Sequence, residues 1–540
     1  MSSSDGVRPF GAAPKLTSDT PWLLLGKGPS AAQYRSELAH RYPVFALNHA
    51  MRGIAATIGH AADIEVLDDL NESDLSSVEF LCLPWIPHVR LWRPLYAGKT
   101  LFGPGSLTLL DYCARKPLLE SYRRRGRLLA YNLASAPTER HHPALPTIHG
   151  KTFSAALAVR LLAQAGVRQI RTLGVDGGSD YCAAFADIAE RSKLQTAQTS
   201  FDIQFTEIAE TIHREGLDFG PLDQQIPARV FVGCMPEQDL AYQVLEYSIR
   251  RHSSVSVVVE RLHSAIAARG IRVPIPHDPA NRGRTPFSFQ RFAIPALCDR
   301  KGRAVYLDSD MLVLRDLRPL WAFALGDCQL VSAAPPPGSP RPPQFSVMLL
   351  DCERLPWDVE TLVAALDAGT VSYAALMYEM ATVPSWEAAL PWYWNSLEHH
   401  EPEHTCLLHF TDMNNQPWLN ALHPQAALWC RYLLDAIKAG DIAPDEVAKN
   451  VRHGHVRPSL LTQVERGEVD PLRLPFRVLA QDPARFLPVH LREAGRVARA
   501  RFEWRRGQAL LRYAYYTNLQ SPLRHYGSKA VALGRKWLGR

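Results

Sequence analysis

Residues 304–314 read AVYLDSDMLVL, an apolar run interrupted by Asp308 and Asp310 and then resumed. A short run of β-branched, aromatic and aliphatic residues predicts a buried strand. Side chains at i and i+2 of a strand share a face, so the spacing predicts both carboxylates in one site at the strand's carboxyl end. Two hard oxygen ligands so placed suit Mg²⁺ or Mn²⁺, ions held by one or two carboxylates together with substrate phosphates. Asp-x-Asp pairs also cap turns, and that reading stands beside the first.

The neighbouring stretches add to the pair. Upstream, PFSFQRFAIPAL (286–297) places Arg291 on a predicted helix just before the metal strand, a natural partner for phosphate oxygens. Downstream, CLLHFTDMNNQPW (406–418) puts His409 at the end of another apolar run. There an imidazole completes the coordination and favours Mn²⁺ over Mg²⁺, the alternative being a hydrogen-bonded core histidine. From Trp22 onward the chain alternates apolar runs with amphipathic segments, the pattern of α/β layers. WLLLG, VFALN, EFLCLPW, LLAYNL and IRTLGVD read as strands in a first series. SAAQYRSELAHR (30–41), LTLLDYCARKPLLESYRRR (107–125) and KTFSAALAVRLLAQAG (151–166) read as helices. FGPLDQQIPA (219–228) breaks the rhythm, and RVFVGC, ending near Gly233, starts a second series.

The order FQRFAIPALCDRKGRAVYLDSDMLVLRDLRPLW (289–321), QFSVMLL (344–350), LPWYWN (390–395) and HFTDMNNQPW (409–418) resembles glycosyltransferase family 8 over roughly residues 228–430. The resemblance implies a GT-A fold and transfer of a sugar from a UDP-sugar with retention of configuration. It implies that Asp308, Asp310 and His409 hold Mn²⁺ (or Mg²⁺) against the donor diphosphate, with Arg291, Gly233 and Trp418 around the nucleotide sugar. Asn395 and Gln416 become the candidate catalytic residues, with plain packing as the alternative for them and for Trp418. The late motif departs from the family's H-x-x-G-x-x-K-P-W: the Gly is missing, Gln416 replaces the Lys, and one residue is inserted. The Asp-Gln pair that usually precedes the asparagine matching Asn395 is also absent.

In the first series, WLLLGKGPSAAQYRSEL places Gly26 and Gly28 after a strand and Ser30 at a helix start. Such a turn lets backbone amides approach a phosphate, or is simply a tight strand-to-helix connection. With Asn48, Ser154 and Asp176, this half resembles the Rossmann-like domain of family 42 sialyltransferases and MptE-like pterin diphosphokinases. That likeness implies nucleotide or nucleotide-sugar binding at Gly26, Gly28, Ser30 and Asn48.

The chain has 540 residues, 46% apolar and 21% charged, too long for one core and ordinary for a soluble protein. No stretch approaches the roughly 18 apolar residues of a membrane span. The start lacks a secretory signal pattern, and nine cysteines without a CxxC pair fit a reducing compartment, so a cytoplasmic location is expected. The net charge of +6 hides an asymmetry: residues 451–540 carry 18 Lys and Arg against 6 Asp and Glu. Arginines interleaved with aromatic residues predict basic amphipathic helices and a peripheral partner, an anionic membrane surface. Without a recognised nucleic-acid motif, nucleic acid is disfavoured.

The expected architecture is therefore α/β: a disordered lead (1–20), a Rossmann-like α/β/α domain (21–222), a GT-A α/β/α domain (228–445) and a basic helical tail (446–540). The expected function is metal-dependent, retaining transfer of a hexose from a UDP-sugar to a glycan or lipid-linked hydroxyl, in surface polysaccharide or lipopolysaccharide assembly. Two alternatives are a nucleotide-sugar or diphosphate transferase centred on the first domain, and a membrane-associated glycan-binding scaffold without catalysis.

Overall fold

The computed structural model describes residues 6–89, 106–150, 153–192, 200–283, 285, 287–340, 342–492 and 495–519. The chain forms two compact units. The first comprises Met1–Ala228 with Arg250–Val258 and Asp316–Ala322; the second comprises Arg229–Ile249, Val259–Arg315 and Phe323–Arg540. Both are α/β, as the alternating apolar runs predict.

In the first unit the strands are β1 (Val7–Pro9), β2 (Trp22–Leu25), β3 (Val44–Leu47), β4 (Ala56–His60), β5 (Val78–Pro84), β6 (Leu128–Leu133), β7 (Thr147–Ile148), β8 (Gln169–Leu173) and β9 (Asp218–Pro221). They form one sheet in the order β1-β6-β5-β4-β3-β2-β8-β9, with β7 beside β6. Every pairing in it is parallel. Parallel strands are covered on both faces, which is why every residue of β2, β3 and β6 is buried and β2 and β3 are continuous apolar runs. Helix α1 (Ser154–Gln164) is buried almost all round, and α2 (Gln204–Glu215) presents one apolar face and ends on the left-handed Gly216 (φ 61°). The sheet also buries polar groups: His60 is fully enclosed, with Nε2 2.9 Å from the Tyr131 hydroxyl.

Four expectations for this unit change. Residues 7–9, expected in a disordered lead, pair with β6 in register Val7↔Leu128. Residues 219–221, in the stretch that breaks the alternating pattern, belong to the strand β9 (Asp218–Pro221). Residues 30–41 make a 3₁₀ turn (Pro29–Gln33) and a four-residue helix (Leu38–Arg41), with Ala31, Tyr34, Leu38 and Ala39 only partly buried against the core. Residues 107–125 divide into Leu109–Cys113 and Pro117–Arg124 because Pro117 cannot continue the helical hydrogen bonding. Two later segments complete the unit: the Ser254 amide donates to Asp316 (3.0 Å), and the buried Trp321 indole donates to the Gln225 carbonyl (3.2 Å).

The second unit contains β10 (Ala228–Gly233), β11 (Val257–Arg261), β12 (Arg303–Asp308), β13 (Met311–Val313), β14 (Leu330–Ala333), β15 (Gln344–Asp351), β16 (Trp386–Leu390), β17 (Ser396–Leu397) and β18 (Leu407–His409). A six-stranded mixed sheet runs β11-β10-β12-β15-β14-β16, and a three-stranded sheet runs β13-β18-β17. Helix α4 (Val359–Asp367) clusters with Phe231, Tyr306 and Met348 of the first sheet, and Leu240, Ala241, Val244 and Tyr247 of α3 (Asp239–His252) cluster with Leu312 and Leu408 of the second.

Helices α5 (Ala426–Ala439), α6 (Pro444–His453), α7 (Ser459–Glu465), α8 (Gln481–Arg485) and α9 (Arg496–Leu519) follow. Part of the segment expected as a basic helical tail is core. Val447, Val456, Leu460 and Phe486 are buried in one cluster with Phe410, Trp418 and Trp429. The end of the expected basic helical tail, residues 520–540, lies outside the described residues.

Candidate metal centre

Asp308 ends β12, opposite Gly233 of the parallel neighbour β10. The strand then stops. Ser309 donates its amide to the Gly233 carbonyl (3.0 Å) and turns its hydroxyl inward to Gln238 Oε1 (2.9 Å). Met311 already belongs to the other sheet, opposite His409 of β18. Asp308 and Asp310 therefore do not share a strand face. The residue two positions from Asp308 on its own face is Tyr306, whose hydroxyl donates to Asp308 Oδ1 at 2.6 Å. The carboxylates converge because the chain crosses between two sheets at Ser309.

The second sheet brings in the imidazole. The Phe410 amide donates to the Asp310 carbonyl (2.9 Å), and His409 Nε2 lies 3.2 Å from Asp310 Oδ1. One ligand atom each from Asp308, Asp310 and His409 lie within 4.8 Å of one another. Among the described residues this is the one such group of three. Two carboxylates and an imidazole make a donor set that could hold a divalent metal ion.

Behind the three lies a ring of buried amides and hydroxyls. His409 Nδ1 lies 2.9 Å from Asn395 Oδ1, and Asn395 Nδ2 donates to Ser346 Oγ at 3.1 Å. An acceptor at Nδ1 keeps a proton on that nitrogen, so that in the neutral imidazole Nε2 is the nitrogen free to take a cation. Gln416 Nε2 donates to Asp310 Oδ2 and to the Phe410 carbonyl, both at 3.0 Å. Asn395 and Gln416 are both buried, and their side chains bond the candidate ligands His409 and Asp310. Burial raises the pKa of Asp308, with Arg291 opposing and Asp310 adding to the rise. Burial works against protonating His409, but the Asp310 and Asp308 carboxylates outweigh it and hold its pKa above the ordinary value.

Arg291 sits on a 3₁₀ turn (Gln290–Ala293) rather than an α-helix. Its Nη1 donates to the Phe345 carbonyl (3.0 Å), its guanidinium lies 4.7 Å from the Tyr306 ring centroid, and its buried Nε has no acceptor among the described residues. Gly233 serves packing: a Cβ there would lie 2.6 Å from the Tyr306 hydroxyl and 2.7 Å from Phe287. Trp418 is buried between Phe410 (centroids 5.9 Å apart) and Trp429 (5.4 Å), as its packing alternative expects.

The expected phosphate cradle of the first unit has its amides in use. The Gly26 amide donates to the Leu173 carbonyl and the Gly28 amide to the Gly174 carbonyl, both at 2.8 Å. The Ser30 amide donates to Asp176 Oδ2 at 2.8 Å, and its hydroxyl to Asp176 Oδ1. The Asp176 carboxylate occupies the position an anion would take, and Pro29 has no amide hydrogen to offer. The glycines allow close approach of two loops: a Cβ on Gly26 would overlap the Gly174 carbonyl. Asn48, at φ 51°, exchanges hydrogen bonds with Ser154 (3.2 and 3.3 Å), tying the end of β3 to the start of α1.

Tyr306 and Ser346 escaped the sequence reading because both sit inside apolar runs that read as core. A lone hydroxyl in QFSVMLL was the available signal.

No family model matches the chain. A curated Arabidopsis thaliana relative, Protein CDI, is 38% identical over 95 residues, 17% of this chain. The chain spans only 36% of that relative's length. Among solved structures, the glycosyltransferase GlyE of Streptococcus pneumoniae TIGR4 aligns at 17% identity and a TM-score of 0.28, covering 38% of this chain and 60% of its own. The galactosyltransferase LgtC, solved with donor and acceptor sugar analogues, aligns at 13% identity and a TM-score of 0.27, covering 41% of this chain and 99% of its own. WbbM, a bifunctional glycosyltransferase, aligns at 14% identity and 0.27, covering 46% and 61%. Values this low leave the functional argument to the residues themselves.

Proposed function

We propose that the second unit is a GT-A-type, metal-dependent glycosyltransferase that moves a hexose from a UDP-sugar to a hydroxyl of a glycan or lipid-linked acceptor, with retention of configuration. The observation that carries this reading is the convergence of Asp308, Asp310 and His409 at a sheet-to-sheet crossover, each backed by a buried hydrogen-bonding partner. A Mn²⁺ ion bound there would supply Lewis-acid stabilisation of the leaving diphosphate. Asp308 and Asp310 furnish its carboxylates and His409 its imidazole, while Arg291 adds a positive charge beside Tyr306 that suits a diphosphate. Surface polysaccharide or lipopolysaccharide assembly is the process that fits such an acceptor.

The test is release of UDP across a panel of nucleotide sugars with Mn²⁺, Mg²⁺ or EDTA. Turnover of one UDP-sugar that depends on Mn²⁺ and disappears in Asp308→Asn is the expected result, and NMR of the product gives the anomer. Metal-independent turnover that survives this substitution would sink the reading.

A peripheral membrane location is part of the proposal. No helix among the described residues is long and apolar enough to cross a membrane. On α9, however, Val497, Trp504 and Leu511 are 78, 62 and 66% exposed. Their seven-residue spacing aligns them on one helix face, with Arg501, Arg505 and Arg512 nearby. An exposed aromatic and aliphatic stripe bordered by arginines suits an anionic lipid surface.

A further inference from the structure

Three successive carbonyls immediately after Gln416 are held by two arginines of the C-terminal region. The Pro417 carbonyl accepts from Arg457 Nε (3.3 Å), the Trp418 carbonyl from the Arg457 amide (2.9 Å), and the Leu419 carbonyl from Arg506 Nη2 (2.6 Å). Arg457 is fully buried, and its remaining nitrogens donate to Ser459 Oγ, Gln463 Oε1 and Cys430 Sγ. Ser459 in turn donates its amide and hydroxyl to the buried Asp482 carboxylate at 2.9 and 2.6 Å. Arg506 lies 5.4 and 5.2 Å from the ring centroids of Phe486 and Phe502. An enclosed guanidinium is retained at a desolvation cost, so a specific geometry is the natural return.

We propose that Arg457 is a positioning residue for the metal centre: it fixes residues 417–419 so that the amide of Gln416 stays on Asp310. The C-terminal region beyond residue 450 is then part of the site's scaffold, not an appendage. This deepens the metal reading above and rests on it for one of its two readouts.

Arg457→Lys keeps the charge but loses the planar fork that serves Pro417, Ser459 and Gln463 together. In the full chain, amide hydrogen exchange over residues 410–420 should accelerate, while exchange in β10, β12 and β15 stays unchanged. Mn²⁺ affinity, followed by the electron paramagnetic resonance signal of the free ion, should fall about ten- to a hundredfold, the usual effect of losing an outer-sphere partner. Gln416→Ala should lose a similar factor, and the double variant no more than the larger single loss, since both act through one contact. Unchanged exchange at 410–420 overturns the proposal, as does a double variant whose losses multiply. If Arg457→Lys does not fold, Asp482→Asn, which withdraws the buried counter-charge, replaces it with the same expected results. A wild-type chain that takes up no Mn²⁺ overturns the metal reading, and the exchange measurement still decides whether Arg457 positions the loop.

Discussion

His409 can offer Nε2 to a metal only while its proton stays on Nδ1, where Asn395 Oδ1 lies 2.9 Å away. Asn395→Ala should therefore weaken Mn²⁺ binding about ten- to a hundredfold in a direct titration, with all three ligands intact. The same imidazole sets a pH dependence. The carboxylates of Asp310 and Asp308 raise its pKa against the opposing effect of burial, so Mn²⁺ uptake should decline as the pH falls below that raised value. Titrations at pH 8 and pH 6 check the direction. In the metal-free chain the sign reverses. There the His409 ion pair contributes stability below the ordinary histidine pKa of about 6.5 and loses it as the pH rises through the folded value.

At the level of elements, the crossover at Ser309 separates what was legible in the sequence from what was not. The apolar runs identified the strands because parallel strands bury both faces, and they identified His409 because β18 ends there. The period-2 argument put Asp308 and Asp310 together for the wrong reason. A change of sheet leaves no mark in an unbroken apolar run, so AVYLDSDMLVL looks like one strand and is two. Trp418 was illegible for a related reason, since a tryptophan beside candidate ligands reads alike whether it meets substrate or core. Its packing against Phe410 and Trp429 predicts that Trp418→Ala costs about 3–5 kcal/mol in denaturant unfolding, as for other buried aromatic residues. Trp418→Phe should recover part of that and leave the KM for the donor within twofold. The charge asymmetry was legible as a basic helical segment, but composition does not reveal that Arg457 is enclosed.

For the whole molecule, the buried histidines of the first unit predict acid lability. Burial holds His60 down at about 3; burial and the nearby Lys27 hold His49 at about 4. The unfolded chain takes up these protons from about pH 6.5 downward while the folded one does not, so each site costs about 1.4 kcal/mol per pH unit over that window. The melting temperature should fall between pH 7.5 and pH 5, and His60→Gln should flatten the slope. On α9, replacing Val497, Trp504 and Leu511 together by Ser should abolish sedimentation with anionic liposomes and leave the melting temperature unchanged, since all three are exposed. The first unit is also assembled from separated stretches of chain, for Arg250–Val258 and Asp316–Ala322 belong to it. On a ribosome, Trp321 reaches its Gln225 partner only after nearly a hundred further residues have been made. The amino-terminal sheet must wait, incompletely sealed, while its successor is being synthesised, and a fragment released at residue 228 would leave the ribosome without that seal.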